Sequence, residues 1–406
     1  MSRIFAAILI AVAILRAAPA LAQVGDGAPD PSSVRVRIGP LMMNPKISLS
    51  NIGVDHNVFN DPPDRNPKDD FTFTLTPVSD FWLRLGPTWI DATLTETLNW
   101  YQTYSSERNA NTGYKMGWIV PGSRMSFRID GRILDAHDRP GYEIDTRAGR
   151  TETEFSGAFD FHASPKSFIG VTAARVKTRF DDGEEYNGTN LADSLNRVDT
   201  TYSVNFRHDL TPLTSIMFSA TRTDAKFDLS PDRDAASTSA LMTVTFQPEA
   251  LLKGGFSVGY NDFEPTDPRQ PNYQGFVGTV DLTYVLLGST RFAVTGARGV
   301  QYSYDDSQPY YVQSRIRGSV AQQIFGPFDV EVRGEIASLD YRNRIGAIVA
   351  VPDRTDRVNT VGVGVGYHMA KDLRLSVNVD QNNRDSQVID HQYERLLVGV
   401  ALTYGF

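Results

Sequence analysis

Apolar and polar residues alternate along most of this chain, from residue 46 to its end. In the final stretch, RLLVGVALTYGF, Leu396, Val398, Val400, Leu402, Tyr404 and Phe406 share one parity. Arg395, Leu397, Gly399, Ala401, Thr403 and Gly405 hold the other. LRLSVNVD sets Leu373, Leu375, Val377 and Val379 against Arg374, Ser376, Asn378 and Asp380. FDVEVRGEI sets Phe328, Val330, Val332 and Ile336 against Asp329, Glu331, Arg333 and Glu335. RMSFRIDGRI sets Met125, Phe127, Ile129 and Ile133 against Arg124, Ser126, Arg128, Asp130 and Arg132. A period of two puts successive side chains on opposite faces, so each stretch predicts a β-strand with one apolar side. No comparable window spaces its apolar residues for a helix over three turns.

The connections come in two kinds that alternate. Tight turns such as GPTW (86–89), ASPK (163–166), LTPL (210–213) and FGP (325–327) follow longer polar stretches such as NDPPDRNPKDD, AHDRPGYEIDTRAG and DDGEEYNGTNLADSLN. Together they divide the chain into about 18 strands, an even number with short connections on one side and long ones on the other. That is the layout of an all-β, antiparallel barrel spanning a bacterial outer membrane. The predicted domains are a signal peptide (1–22), a periplasmic segment (23–45) and the barrel (46–406).

Charge on the second face separates a barrel from a soluble sandwich. A sandwich needs core-filling residues on its inward positions, whereas here they carry Arg, Asp, Glu and Asn in strand after strand. Such side chains need water, which a wide lumen supplies, and closure pairs every backbone group in hydrocarbon. The candidate lumen charges are Arg124, Arg128, Asp130 and Arg132 on one strand and Glu152 and Glu154 on the next. Further along are Arg315 and Arg317, then Asp329, Glu331, Arg333 and Glu335, then Arg374 and Asp380. They either steer a polar, anionic solute or satisfy one another across strands. Glu96 is an anomaly, since it shares its parity with Leu94, Leu98 and Trp100. It lies above the hydrocarbon or a bulge flips its register.

The N-terminus supplies the compartment. MSRIFAAILIAVAILRAAPALAQ has a basic start, a short apolar run stopped by Arg16, and small residues before Gln23, as in a secretory signal. The chain has no cysteine, which excludes a disulfide framework and thiolate metal sites. A net charge of −8 with scattered basic residues argues against nucleic-acid binding. The slightly negative mean hydropathy is no obstacle, because an alternating barrel averages like a soluble protein.

Candidate chemistry is sparse. The six histidines fall in different loops or turns, without the paired spacing of a metal site, and read as exposed polar residues. DDGEEY lacks the spaced ligands of a calcium loop. VGVGVG (361–366) resembles a phosphate loop, but its glycines share the inward parity of one continuing strand, where they make room. No enzyme, metal or cofactor is expected.

The stretch VRVRIGPLMMNPKISLSNIGVDHNVFND resembles the start of the putative beta-barrel porin 2 family. The matching residues are Gly39-Pro40 before an apolar pair, Pro45 before the alternating strand, and Val54-Asp55-His56-Asn57-Val58-Phe59 at its outer end. DDFTFTLTPVSDFWLRLG (69–86) continues the likeness; Val54-Asp55-His56 replaces the family's usual Tyr-Asp. The resemblance implies an outer-membrane pore associated with exopolysaccharide export components, and no catalytic residues. Architecture alone implies a general diffusion porin, or a structural protein acting through its loops. Outer-membrane lipid is the expected surrounding. The Leu402, Tyr404 and Phe406 stripe resembles the signal read by the barrel-assembly machinery.

Overall fold

A computed structural model describes residues 34–248, 250–345 and 353–405. The expected signal peptide and Phe406 lie outside the described residues. Eighteen long strands form the wall. They run β1 (Leu41–Asp55), β2 (Asp70–Leu85), β3 (Thr88–Tyr101), β4 (Asn109–Val120), β5 (Met125–Asp138) and β6 (Ala148–Ser164). Next come β7 (Ser167–Phe180), β8 (Arg197–Thr211), β9 (Thr214–Phe227), β10 (Ala235–Phe246), β11 (Leu252–Pro265) and β12 (Tyr273–Leu286). The ring ends with β13 (Thr290–Tyr302), β14 (Tyr310–Phe325), β15 (Phe328–Arg342), β16 (Thr355–Ala370), β17 (Leu373–Asp385) and β18 (Tyr393–Tyr404). Each pairs antiparallel with the next, and β18 returns to β1 with Ile47 opposite Tyr404 and Val54 opposite Val398. The cylinder is closed, so no strand edge is left for lipid to solvate.

β1 begins at Leu41, not at 46, because Leu41–Met43 already pair with Phe81–Leu83 of β2. The Gly39–Pro40 turn then folds a short strand, Val36–Ile38, back onto it. Gly-Pro recurs in the tight turns at 86–87 and 326–327, and φ at the two glycines is 60° and 54°. A glycine takes that left-handed conformation without strain, and proline's fixed φ suits the second turn position.

The alternation appears in the wall as a difference in exposure. Met125, Phe127, Ile129 and Ile133 of β5, and Val361, Val363, Val365 and Tyr367 of β16, are exposed on the outer surface. Their odd–even partners point inward. Glu96 keeps its outward parity without a bulge, because register between β2 and β3 is constant on either side of it. Its carboxylate accepts hydrogen bonds from Thr112 (2.6 Å) and Tyr114 (3.0 Å) on β4. A bulge does lie at the seam, where register shifts between Leu49 and Ile52 and Asn51 has φ of 55°. It brings Gly53 so close to β18 that a Cβ there would overlap the carbonyl oxygen of Val398.

Candidate functional site

Inside the barrel, most of the expected charges pair with one another. Arg333 on β15 donates to Asp380 on β17 through two bonds, at 2.7 and 2.5 Å. Arg374 on β17 holds Asp329 on β15 at 2.9 and 2.5 Å, and the His368 ring lies 2.7 Å from the same carboxylate. Both pairs reach over β16, and they can do so because β16 presents only hydrogen there. A Cβ on Gly362 would overlap Asp380 Oδ1 and stand 2.7 Å from Arg333 Nε. One on Gly366 would stand 2.5 Å from Asp329 Oδ2. The glycines of VGVGVG are therefore notches through which neighbours-but-one meet. Gly117 of β4 repeats the device, letting Arg128 of β5 reach Asp91 of β3 (3.1 Å) while it also binds Asp130.

The rest are paired more loosely. Arg132 stands 3.9 Å from Glu154, and Arg150 reaches Glu152 at 3.3 Å. Glu331 and Arg317 line a second cavity of about 70 Å³ with Arg291, Asp281 and Arg333. Arg124 is a correction: it lies in the turn before β5 and is exposed, because the strand starts one residue later.

A loop that sequence spacing read as an external connection enters the bore. Residues 139–147 leave β5, cross the lumen and return into β6. Tyr142 donates to Glu335 on β15 and accepts from Arg315 on β14 (3.4 Å), nine strands away on the far wall of an 18-strand ring. Glu143 is buried; it accepts from the Ser303 hydroxyl at 2.6 Å and from the Tyr304 amide at 3.3 Å. Ile144 packs with Phe180, Leu191, Leu195 and Tyr304. Arg384 clamps the loop, donating to Asp145 (2.7 Å), the Glu143 carbonyl (3.3 Å) and Asp356 (2.6 Å). The carboxylates of so buried a loop each find hydrogen-bond partners, as burial requires.

Burial pushes the Glu143 carboxyl up to about 7, against the pull of Ser303 and the Arg354 and Arg384 cations. His391 is a further correction to the expectation of exposed histidines. It is buried beneath Tyr186, Asn187 and Tyr304. Burial, with Arg384 and Arg354 nearby, lowers it to about 3. Pairing between β12 and β13 stops at Gly278–Arg298, and above it Tyr302 and Tyr310 turn onto Phe227 and Phe263.

Between the inward loop and the β18–β1–β2–β3 wall lies a cavity of about 240 Å³. Arg139, Arg147 and Arg395 line it, with Tyr101, Thr72, Thr74, Asn51, Asn99 and Leu397. The wall opposite the loop is a hydrogen-bonded row running Asn51 to Thr74 (3.2 Å), Thr74 to Asn99 (2.8 Å) and Asn99 to Asn109 (2.8 Å). None of the three arginines was among the expected lumen charges. Arg395 carried a signal, its inward parity on the last strand. Arg139 and Arg147 carried only a faint one, since their loop holds Tyr142 and Ile144 among polar residues.

The model of the family described as Putative beta-barrel porin 2 matches residues 30–406. No curated protein sequence matches the chain. Among solved structures, the chain is similar to OpdK of Pseudomonas aeruginosa with vanillate, at 9% identity and TM-score 0.47, covering 89% of this chain and 98% of that one. It is also similar to OccK9 (OpdG) of Pseudomonas aeruginosa, at 10% identity and TM-score 0.47, covering 89% and 97%. OccAB4 of Acinetobacter baumannii is similar at 8% identity and TM-score 0.46, covering 92% and 99%.

Proposed function

This chain belongs to the putative beta-barrel porin 2 family, and from that premise we propose that it is a diffusion channel for small hydrophilic solutes across the outer membrane. The carrying observation is the inward loop between β5 and β6, held by Tyr142 against Glu335 and Arg315 of β15 and β14, by Glu143 against Ser303 just after β13, and by Arg384 of β17. Such a loop divides the bore. The polar cavity beside it, about 240 Å³, holds roughly eight waters at about 30 Å³ each. A loop fixed across the bore is an obstacle to a polymer strand, so the diffusion reading is favoured over exopolysaccharide export.

Within the same reading, residues 1–22 route the chain out of the cytoplasm. The outward Leu402 and Tyr404, with Phe406, address it to the assembly machinery. The paired lumen charges hold the wall in register more than they steer solutes.

Single-channel recording in planar bilayers tests the proposal. The folded barrel should give steady conductance, and replacing residues 140–146 with a glycine–serine linker should raise it several-fold. A folded barrel without conductance above membrane leak would overturn the reading. So would lost polysaccharide secretion on gene deletion with solute uptake unchanged.

A further inference from the structure

Three guanidinium groups converge on the 240 Å³ cavity from separate segments. Arg139 and Arg147 bracket the inward loop, and Arg395 stands on β18. Arg139 spends its bonds on the carbonyls of Asp145 (2.5 Å) and Val58 (2.6 Å). Arg147 donates to Glu107 (2.6 Å) and to the Tyr101 hydroxyl (3.1 Å). Arg395 grips Asp55 at 2.8 and 2.5 Å. Each leaves its Nη1 amino group without a partner among the described residues.

The charges do not balance. Glu107 and Asp55 answer three cations, because Asp145 is taken by Arg384 at 2.7 Å. Burial and the facing Arg395 and Arg147 lower the Arg139 pKa, a sign that the cations crowd one another. Across the cavity stand amide and hydroxyl groups, namely Asn51, Thr74 and Asn99. Guanidinium forks match the paired oxygens of an oxyanion, and neutral amides and hydroxyls tolerate the uncharged remainder of a polar solute.

We propose that this cavity is a binding site for one small oxyanion, the carboxylate of a hydrophilic solute. The inference deepens the channel reading and rests on it for its biological meaning, but occupancy can be measured apart from conduction. The site selects by its single surplus charge, and loop and barrel wall must both be in place to form it.

Two substitutions should move it in opposite directions. Arg147→Gln removes the surplus, whereas Glu107→Gln enlarges it and frees Arg147 from its partner. Acetate binding to the detergent-solubilised full barrel, read by saturation-transfer NMR, should weaken about tenfold in Arg147→Gln and tighten in Glu107→Gln. The chloride-to-potassium permeability ratio, from reversal potentials, should fall in the first and rise in the second. Folding of each variant is checked by heat-modifiable gel migration, and either variant alone gives a signed result. Acetate binding or selectivity indifferent to both substitutions overturns the site while leaving a conducting channel intact. Acetate binding without conductance supports the site and overturns the channel reading.

Discussion

Gly362 is where one methyl group should be most informative. On its lumen side, Arg333 of β15 and Asp380 of β17 meet in a two-bond pair, with side chains only 10% and 19% exposed. A Cβ at 362 would sit on Asp380 Oδ1. The obstacle is the far end of a side chain, so the backbone need not move. What is lost in Gly362→Ala is the pair. Breaking a fully buried pair costs about 3–5 kcal/mol, and an exposed one contributes about 0–1 kcal/mol. This pair is mostly covered yet borders a wet lumen, which places the loss at about 2 kcal/mol. In an Arg333→Ala/Asp380→Ala background the methyl group has space, and the same substitution should cost less than about 0.5 kcal/mol. Reversible urea unfolding in micelles, followed by tryptophan fluorescence and gel migration, would close the cycle. Equal losses in both backgrounds would refute the notch mechanism, because the glycine would then matter for its backbone and not for its neighbours.

Gly53→Ala should be worse, since the overlapping atom is the Val398 carbonyl and no side chain can rotate away. The closing seam would open, with a loss above about 3 kcal/mol and little heat-modifiable barrel; wild-type urea stability would disprove it. Glu143 predicts a pH dependence of loop docking. Its folded pKa of about 7 lies above the ordinary 4.5, so its contribution is complete below 4.5 and is lost as pH rises to about 7. The total is on the order of 3 kcal/mol at 1.36 kcal/mol per unit. His391, lowered from 6.5 to about 3, has the opposite sign, contributing fully above 6.5 and losing that as pH falls towards 3. Glu143→Gln should therefore leave a loop that only acid loosens, measured by hydrogen exchange at 139–147. A variant profile that superimposes on the wild type would reject the assignment.

The alternation along each strand, with the two alternating kinds of connection, by itself determined the strand number and the antiparallel ring, and gave each side chain an expected face. Those properties are local: a side chain's face follows from its parity, and an apolar outer face with charges on the inner one leaves only a closed, water-filled cylinder. It also placed Arg395 and the glycines of VGVGVG on the inner side. Tertiary structure alone decided what the inner residues do. Whether Arg333 steers a solute or holds Asp380 depends on a strand two places along the ring and on the bare glycine between them. Likewise, Tyr142 and Glu335 are separated by 193 residues, and only ring closure puts them across one bore. The same distance problem hid His391, which is buried not by its own loop but by Tyr186 and Tyr304 arriving from others. Parity tells a side chain which way to point; the opposite wall determines what it finds there.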